Sequence, residues 1–338
     1  LELGIKDLVA TDADDLSSIA SNVSDIFTGV SIPEPIKKNL FKALSQLCSA
    51  AVSIPVAYLE GKADEIKAGT SARVKIISAT GEKIAEQIKI DPAYVQIAQE
   101  KFTKKVVREQ INLDKICQIA IEDIGNSAHD TKTDHGKAPP INEDWLNHFQ
   151  KEASLKTTEE MRLHFGKLLS AEIRKPGTFS LKTISTLSDL DSATAQSFVG
   201  LCSLAISIKH ESFDDSRVVS LGGNASNNSL KKYGLSFSEL NNLLEHGLII
   251  SDLHSWRDYG FSIVDEDNKV ALPFIYASKM WALESKLKHK TCKLHGVAFS
   301  KVGRELLTII DISPREEYTS ELKTFFQSIG FNMMPVAV

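Results

Sequence analysis

The sequence predicts a mainly α protein with a smaller α+β part: long N-terminal helices, a central helical region and a C-terminal winged-helix-like segment. Three observations lead there. From Gly61 to Ile124 the chain is rich in Lys, Glu, Ala, Ile and Gln, with apolar residues at helical spacing. Helix-capping residues punctuate the middle. In the last third, short apolar runs alternate with turns. At roughly 150 residues per domain, 338 residues hold about two domains. Hydrophobic residues at 42% and charged residues at 25% exclude a disordered, collagen-like or multi-span membrane chain. The expected organisation is a long-helix region over 1–125, a linker over 126–140, a central helical domain over 141–210 and a winged-helix-like α+β domain over 211–338.

In the first region, Ser31-Ile-Pro-Glu-Pro breaks the chain before a helix entry at Ile36. Leu44 to Leu59 carries no charge, but three serines, a glutamine and Pro55 suit a buried or interfacial helix rather than a span. Leu1 opens no recognisable signal peptide. Asp91-Pro92 starts a helix, with proline at its first position. Val95, Phe102, Val106, Leu113, Ile116 and Ala120 then form an amphipathic stripe, fit for an intramolecular hairpin or a coiled-coil dimer.

Asn126 to Pro140 is polar, aperiodic and ends in a double proline. It holds His129, Asp130, Asp134 and His135, but nothing in a loop fixes their geometry, so no metal site is expected. Next, Thr157-Thr-Glu-Glu160 has capping-box form, and Met161, Phe165, Leu168, Leu169 and Ile173 share a helix face that Pro176-Gly177 ends. Ser180 caps a short helix. Ser188 to Asp191 opens another, apolar on both sides through Ile208. Ser236-Phe-Ser-Glu239 begins a capped helix that ends at Gly247. Strands are expected at 248–250, 261–264, 270–276, 280–283 and 292–299. Ser300 and then Ser313-Pro314 start the last two helices.

Chemistry is sparse. The motifs G-x-S-x-G, G-x-x-x-x-G-K-[ST], H-E-x-x-H and G-x-G-x-x-G are all missing. No catalytic residue and no cofactor are predicted. The four cysteines are far apart and apolar in setting, as expected of buried thiols in a reducing cytoplasm. Glu172 stands near a helix C-terminus, where its charge opposes the dipole. It is a binding or catalytic carboxylate, a solvated glutamate, or a hydrogen-bond acceptor for the Gly177–Ser180 turn. Lys286, Lys288, Lys290 and Lys293, with His289 and His295, would cluster on a wing and could follow a phosphate backbone. The candidate recognition helix, Phe237 to His246, has no Arg or Lys and offers only Asn241 and Asn242 for base reading. Trp145 and Phe149 pair at i, i+4 in the core. Trp256 and Tyr259 either tuck in or mark a partner surface.

The run Asp144-Trp145, Phe149, Glu160-Met161, Leu169-Ser-Ala-Glu172-Ile173, Pro176-Gly177-Thr-Phe179-Ser180, Thr183, Leu187, Leu190, Ala195 and Phe198 is familiar. With Asn112, Ile116 and Phe299 to Leu306, it resembles the bacterial family numbered two-eight-zero-six among the domains of unknown function. The similarity covers roughly 30 to 330. Phe165 and Arg162 stand where a tryptophan and a glutamine are usual. The resemblance implies a helical front and a mixed tail, without an activity. The central region is also similar to the abortive-infection alpha group of phage-defence proteins.

The functional expectation is a non-catalytic, self-associating bacterial scaffold in the cytoplasm, acting in phage defence or stress, as a homo-oligomer or with a protein partner. The alternative is a nucleic-acid-associated regulator using the winged tail, opposed by the net charge of −5. A third reading is a hydrolase using Glu172 or the His129–His135 loop. Membrane-surface contact is not expected.

Overall fold

The computed structural model describes residues 32–48, 92–127, 139–210, 213–267, 269–286 and 290–336. The chain divides into two compact units between Ile184 and Ser185.

The first unit holds α1 (Glu34–Leu47), α2 (Pro92–Ser127), α3 (Glu143–Ala153), α4 (Glu159–Arg174) and the start of α5 (Leu181–Asp189). Leu44, Leu47 and Cys48, from the uncharged run, are core residues, while 49–59 lie outside the described residues. The stripe on α2 splits in two. Leu113, Ile116 and Ala120 are buried, whereas Phe102 is 53% exposed. Helices α2 and α4 touch closely at Gly166, where an added Cβ would lie 2.5 Å from Ile119 Cγ2. Arg162 bonds the Asn112 side chain at 2.7 Å and the Lys156 carbonyl at 3.2 Å, so this departure from the family pattern has a structural duty. Asn142 caps α3, and Thr158, one residue after the anticipated Thr157, caps α4.

The second unit overturns the expected fold class. It is no minor winged-helix-like segment of a mainly α protein but a seven-stranded antiparallel sheet with helices. Its strands are β1 (Ile206–His210), β2 (Phe213–Val219), β3 (Ser255–Asp258), β4 (Phe274–Tyr276), β5 (Lys279–Ser285), β6 (Lys293–Ala298) and β7 (Phe331–Pro335). They lie in the order β3-β6-β2-β1-β4-β5-β7. The helices of this unit are the remainder of α5, α6 (Ser192–Cys202), α7 (Phe237–Glu245), α8 (Lys301–Leu307) and α9 (Glu316–Ser328). Two features hid the sheet. Helix α6 stops at Cys202, so Ile206 and Ile208 belong to β1 and not to an apolar helix side. Strand β2 reads as polar because Asp215 and Arg217 neutralise each other inside the protein. The runs at 248–250 and 261–264 supply only isolated bridges and a short 3-10 turn.

Capping chemistry was sound at Asp191, at Ser300 and at the Ser236–Glu239 box. The last helix starts later than expected, at Glu316 behind Arg315, leaving Ser313-Pro314 in the preceding loop. Helix α9 packs on the sheet through rings: Phe326 lies 6.0 Å from Phe274, and Tyr318 lies 6.3 Å from Tyr276. The Tyr318 hydroxyl donates to the Val219 carbonyl at 2.9 Å. Gly296 allows β6 to pass close to β2, since a Cβ there would lie 1.9 Å from the Val218 carbonyl oxygen.

Burial raises the pKa of Tyr259, Tyr276 and Tyr318, and pushes Tyr233 up to about 12. Above pH ~10 the unfolded chain loses tyrosine protons that the folded chain keeps. Fewer protons are then bound unfolded than folded, so stability falls as pH rises. Tyrosinate absorbance should therefore appear together with loss of the far-ultraviolet signal. Ionisation of these four tyrosines in a still-folded protein near pH ~10 would contradict their burial.

Candidate functional site

Glu172 lies in the last turn of α4 and is 1% exposed. Gly177, at φ 86°, turns the chain back just past the helix. Its N–H donates to Glu172 Oε1 at 2.6 Å, and the Phe179 N–H donates to Oε2 at 3.0 Å. From the other side, Trp145 Nε1 donates to the Phe179 carbonyl at 3.0 Å. The carboxylate and the indole thus hold both polar groups of one peptide segment. Asn39 of α1 fixes the approach to α3: its Nδ2 donates to the Pro139 carbonyl at 3.1 Å, and its Oδ1 accepts from the Ile141 N–H at 2.9 Å. Beside this clamp runs an open groove of about 450 Å³, lined by Pro140, Asp144, Trp145, Pro176 and Leu181 among others. Of the readings of Glu172, burial removes the solvated one and the geometry displays the hydrogen-bonded turn.

A second polar centre escaped sequence reasoning. Arg217 and Asp215 share one face of β2, and Arg217 is 2% exposed. Arg217 Nε donates to Asp215 Oδ2 at 2.6 Å and Nη2 to Oδ1 at 2.9 Å. Its Nη1 reaches the carbonyls of Ser255 and Leu294 at 3.0 and 2.9 Å. The Tyr259 hydroxyl donates to Asp215 Oδ2 at 2.8 Å. Burial opposes the guanidinium charge, but Asp215 outweighs it and holds the Arg217 pKa above its ordinary value. Each oxygen of Asp215 has a donor, so the pair ties β2 to β3 and β6 with little charge left over. The available signal was the i, i+2 alternation of Asp215 and Arg217, which puts opposite charges on one strand face.

The lysines do not sit on a wing. Strands β5 and β6 are not neighbours in the sheet, so they form no hairpin. Lys286, Lys290 and Lys293 are exposed, while Lys288 lies outside the described residues. Asn242, from the supposed recognition helix, donates to Thr194 Oγ1 at 2.7 Å and so packs α7 onto α6. Trp145 stacks on Phe149 at 5.2 Å, as the spacing implied. Trp256 and Tyr259 part company: the first is 53% exposed, the second buried. His129, Asp130, Asp134 and His135 lie outside the described residues. All four cysteines are buried free thiols. Burial raises the pKa of Cys48 and Cys202 and pushes Cys292 up to about 12, which disfavours the reactive thiolate. No described helix is long and apolar enough to cross a membrane.

Residues 96–323 match the family described as "Protein of unknown function (DUF2806)". No curated protein and no solved structure matches the chain. The matched span includes α3, α4, the Glu172 clamp and most of the sheet.

Proposed function

The chain belongs to the DUF2806 family, and we propose that it acts as a non-catalytic, self-associating scaffold of the bacterial cytoplasm. One observation carries the reading. The second half of α2 is core, but its first half carries Ile97, Phe102 and Val107 at 52%, 53% and 40% exposure. Around them, four of the six charged side chains over 100–109 pair along the helix. Glu100 meets Lys104 at 2.6 Å, and Lys105 meets Glu109 at 3.7 Å. Five residues apart, each points about 140° from the next around the helix, so this half exposes apolar side chains on several sides rather than along one stripe. Ile97 to Val107 spans ~15 Å of helix, enough for two turns of contact. A second copy is the occupant. Residues 100–109 carry Glu100 and Glu109 at their ends and Lys101, Lys104, Lys105 and Arg108 between them, so a second copy would meet this half of the helix through its apolar residues rather than through opposite charges. The engagement of Glu172 by backbone amides supports a structural role for the one carboxylate that invited a catalytic reading. A setting in phage defence or stress response is part of the same proposal.

Light scattering on the full chain tests it. An oligomer is expected, and Ile97→Glu with Phe102→Glu should shift it to monomer while helix content is unchanged. A full chain that stays monomeric at high concentration, or an oligomer indifferent to both changes, overturns the reading.

A further inference from the structure

We propose that the outer face of the β3–β6 edge is a stacking platform for single-stranded nucleic acid. The platform is built from rings and cations that the strand register brings together. Trp256 on β3 stands directly opposite His295 on β6, and both side chains are exposed. The His295 ring stacks on His254, with centroids 4.6 Å apart and planes 27° from parallel. Lys293 projects from the same face as His295, and its Nζ lies 4.6 Å over the Trp256 ring. Lys290 is exposed just before β6. Three flat rings and one cation therefore occupy one side of a sheet edge, with Lys290 exposed at its approach.

Several features argue that these rings await a ligand rather than fill a core. Trp256 is among the most exposed large side chains of the second unit. The Nδ1 atom of His254 is buried without a hydrogen-bond partner, so this ring is placed by stacking rather than through that nitrogen. Two carboxylates lie close, and both face backbone. Asp258 opposite Lys293 accepts the N–H groups of Gly260 and Cys292 at 2.9 and 2.8 Å. Asp252 accepts the His254 N–H at 3.0 Å. Asp252 is itself exposed, and Lys290 and Lys293 outnumber it as the solvent-facing charge.

The chemistry selects the occupant. Every nucleobase has a π-face, and a base laid on Trp256 or His295 puts its phosphate within reach of Lys290 and Lys293. A duplex keeps its base faces covered and could use only the lysines. The platform does not depend on the scaffold reading. It takes over the nucleic-acid role once expected of a winged helix, at a different place and by a different mode.

Fluorescence anisotropy of the full chain with a labelled oligodeoxythymidine at low salt tests the proposal. Salt-sensitive binding is expected, together with quenching of tryptophan emission. Trp256→Ala should weaken it about 5- to 150-fold, the range that one stacked base gives on alanine substitution. Trp256→Phe should restore most of the loss. Changing Lys290 and Lys293 to Ser should flatten the log-log salt slope by about 1.4, at ~0.7 per single-strand phosphate. Circular dichroism checks the fold, and His295→Ala provides a second variant if Trp256→Ala unfolds. Absence of binding at low salt would overturn the proposal. So would binding unchanged by both ring variants, or equal affinity for duplex or inorganic polyphosphate. A nuclease-resistant protein partner lost with Trp256→Ala, in place of oligonucleotide binding, would make the face a protein interface instead.

Discussion

Arg217→Met should lower stability by about 3–5 kcal/mol, because it leaves the Asp215 carboxylate buried without its counter-ion. The Tyr259 hydroxyl alone cannot replace two guanidinium hydrogen bonds. Urea unfolding followed by tyrosine and tryptophan emission measures the loss. Replacing the whole cluster, with Arg217→Met, Asp215→Leu and Tyr259→Phe together, should recover most of it. That variant orphans only the Ser255 and Leu294 carbonyls, and unpaired carbonyls are tolerated better than charges. A single Arg217→Met change costing under ~1 kcal/mol would mean that water reaches Asp215 and that the pair behaves like a surface salt bridge.

Glu172→Ala should be nearly as damaging. It strands the N–H groups of Gly177 and Phe179, which now bond a carboxylate. Hydrogen bonds to a charged group contribute about 1.5–3 kcal/mol each, so the combined loss is about 3 kcal/mol or more. Glu172→Gln keeps one acceptor oxygen and should lose roughly half. The graded series separates two roles. A clamp loses stability in the order Gln, then Ala. A carboxylate kept for chemistry would leave the melting temperature nearly unchanged in the Gln variant.

What could be read from the sequence depended on how far a residue sits from its partner. Caps were legible at Ser180, Asp191, Ser236 and Ser300 because donor and acceptor lie within three residues of each other, though the cap at Asn142 was missed. The Glu172 turn was legible for the same reason, with its partners five and seven residues on. Strand β2 was not. Its charged inner face makes sense only beside Tyr259 and the carbonyls of β3 and β6, which local pattern cannot supply. The end of α6 misled because Ile206 and Ile208 continue a helical apolar spacing while pairing with Arg217 and Asp215 across a hairpin. The lysine wing was not legible, since a hairpin was inferred between two strands that never pair. Trp256 and Tyr259 looked alike in sequence. They were separated by which side of the sheet each one meets.

The buried pair on β2 also constrains the order of assembly. Strands β1 and β2 are contiguous and can zip together as soon as they are made. The groups that enclose Arg217 come much later: the Ser255 carbonyl 38 residues on, and the Leu294 carbonyl 77 residues on. Until then the nascent hairpin presents a carboxylate and a guanidinium to water on the face that will become core. Those charges keep an unfinished sheet edge from pairing with other chains. Closure waits for β6 to slide between β2 and β3, a step of high contact order and correspondingly slow folding. The same two side chains thus serve first as protection during synthesis and then as the rivet that closes the sheet.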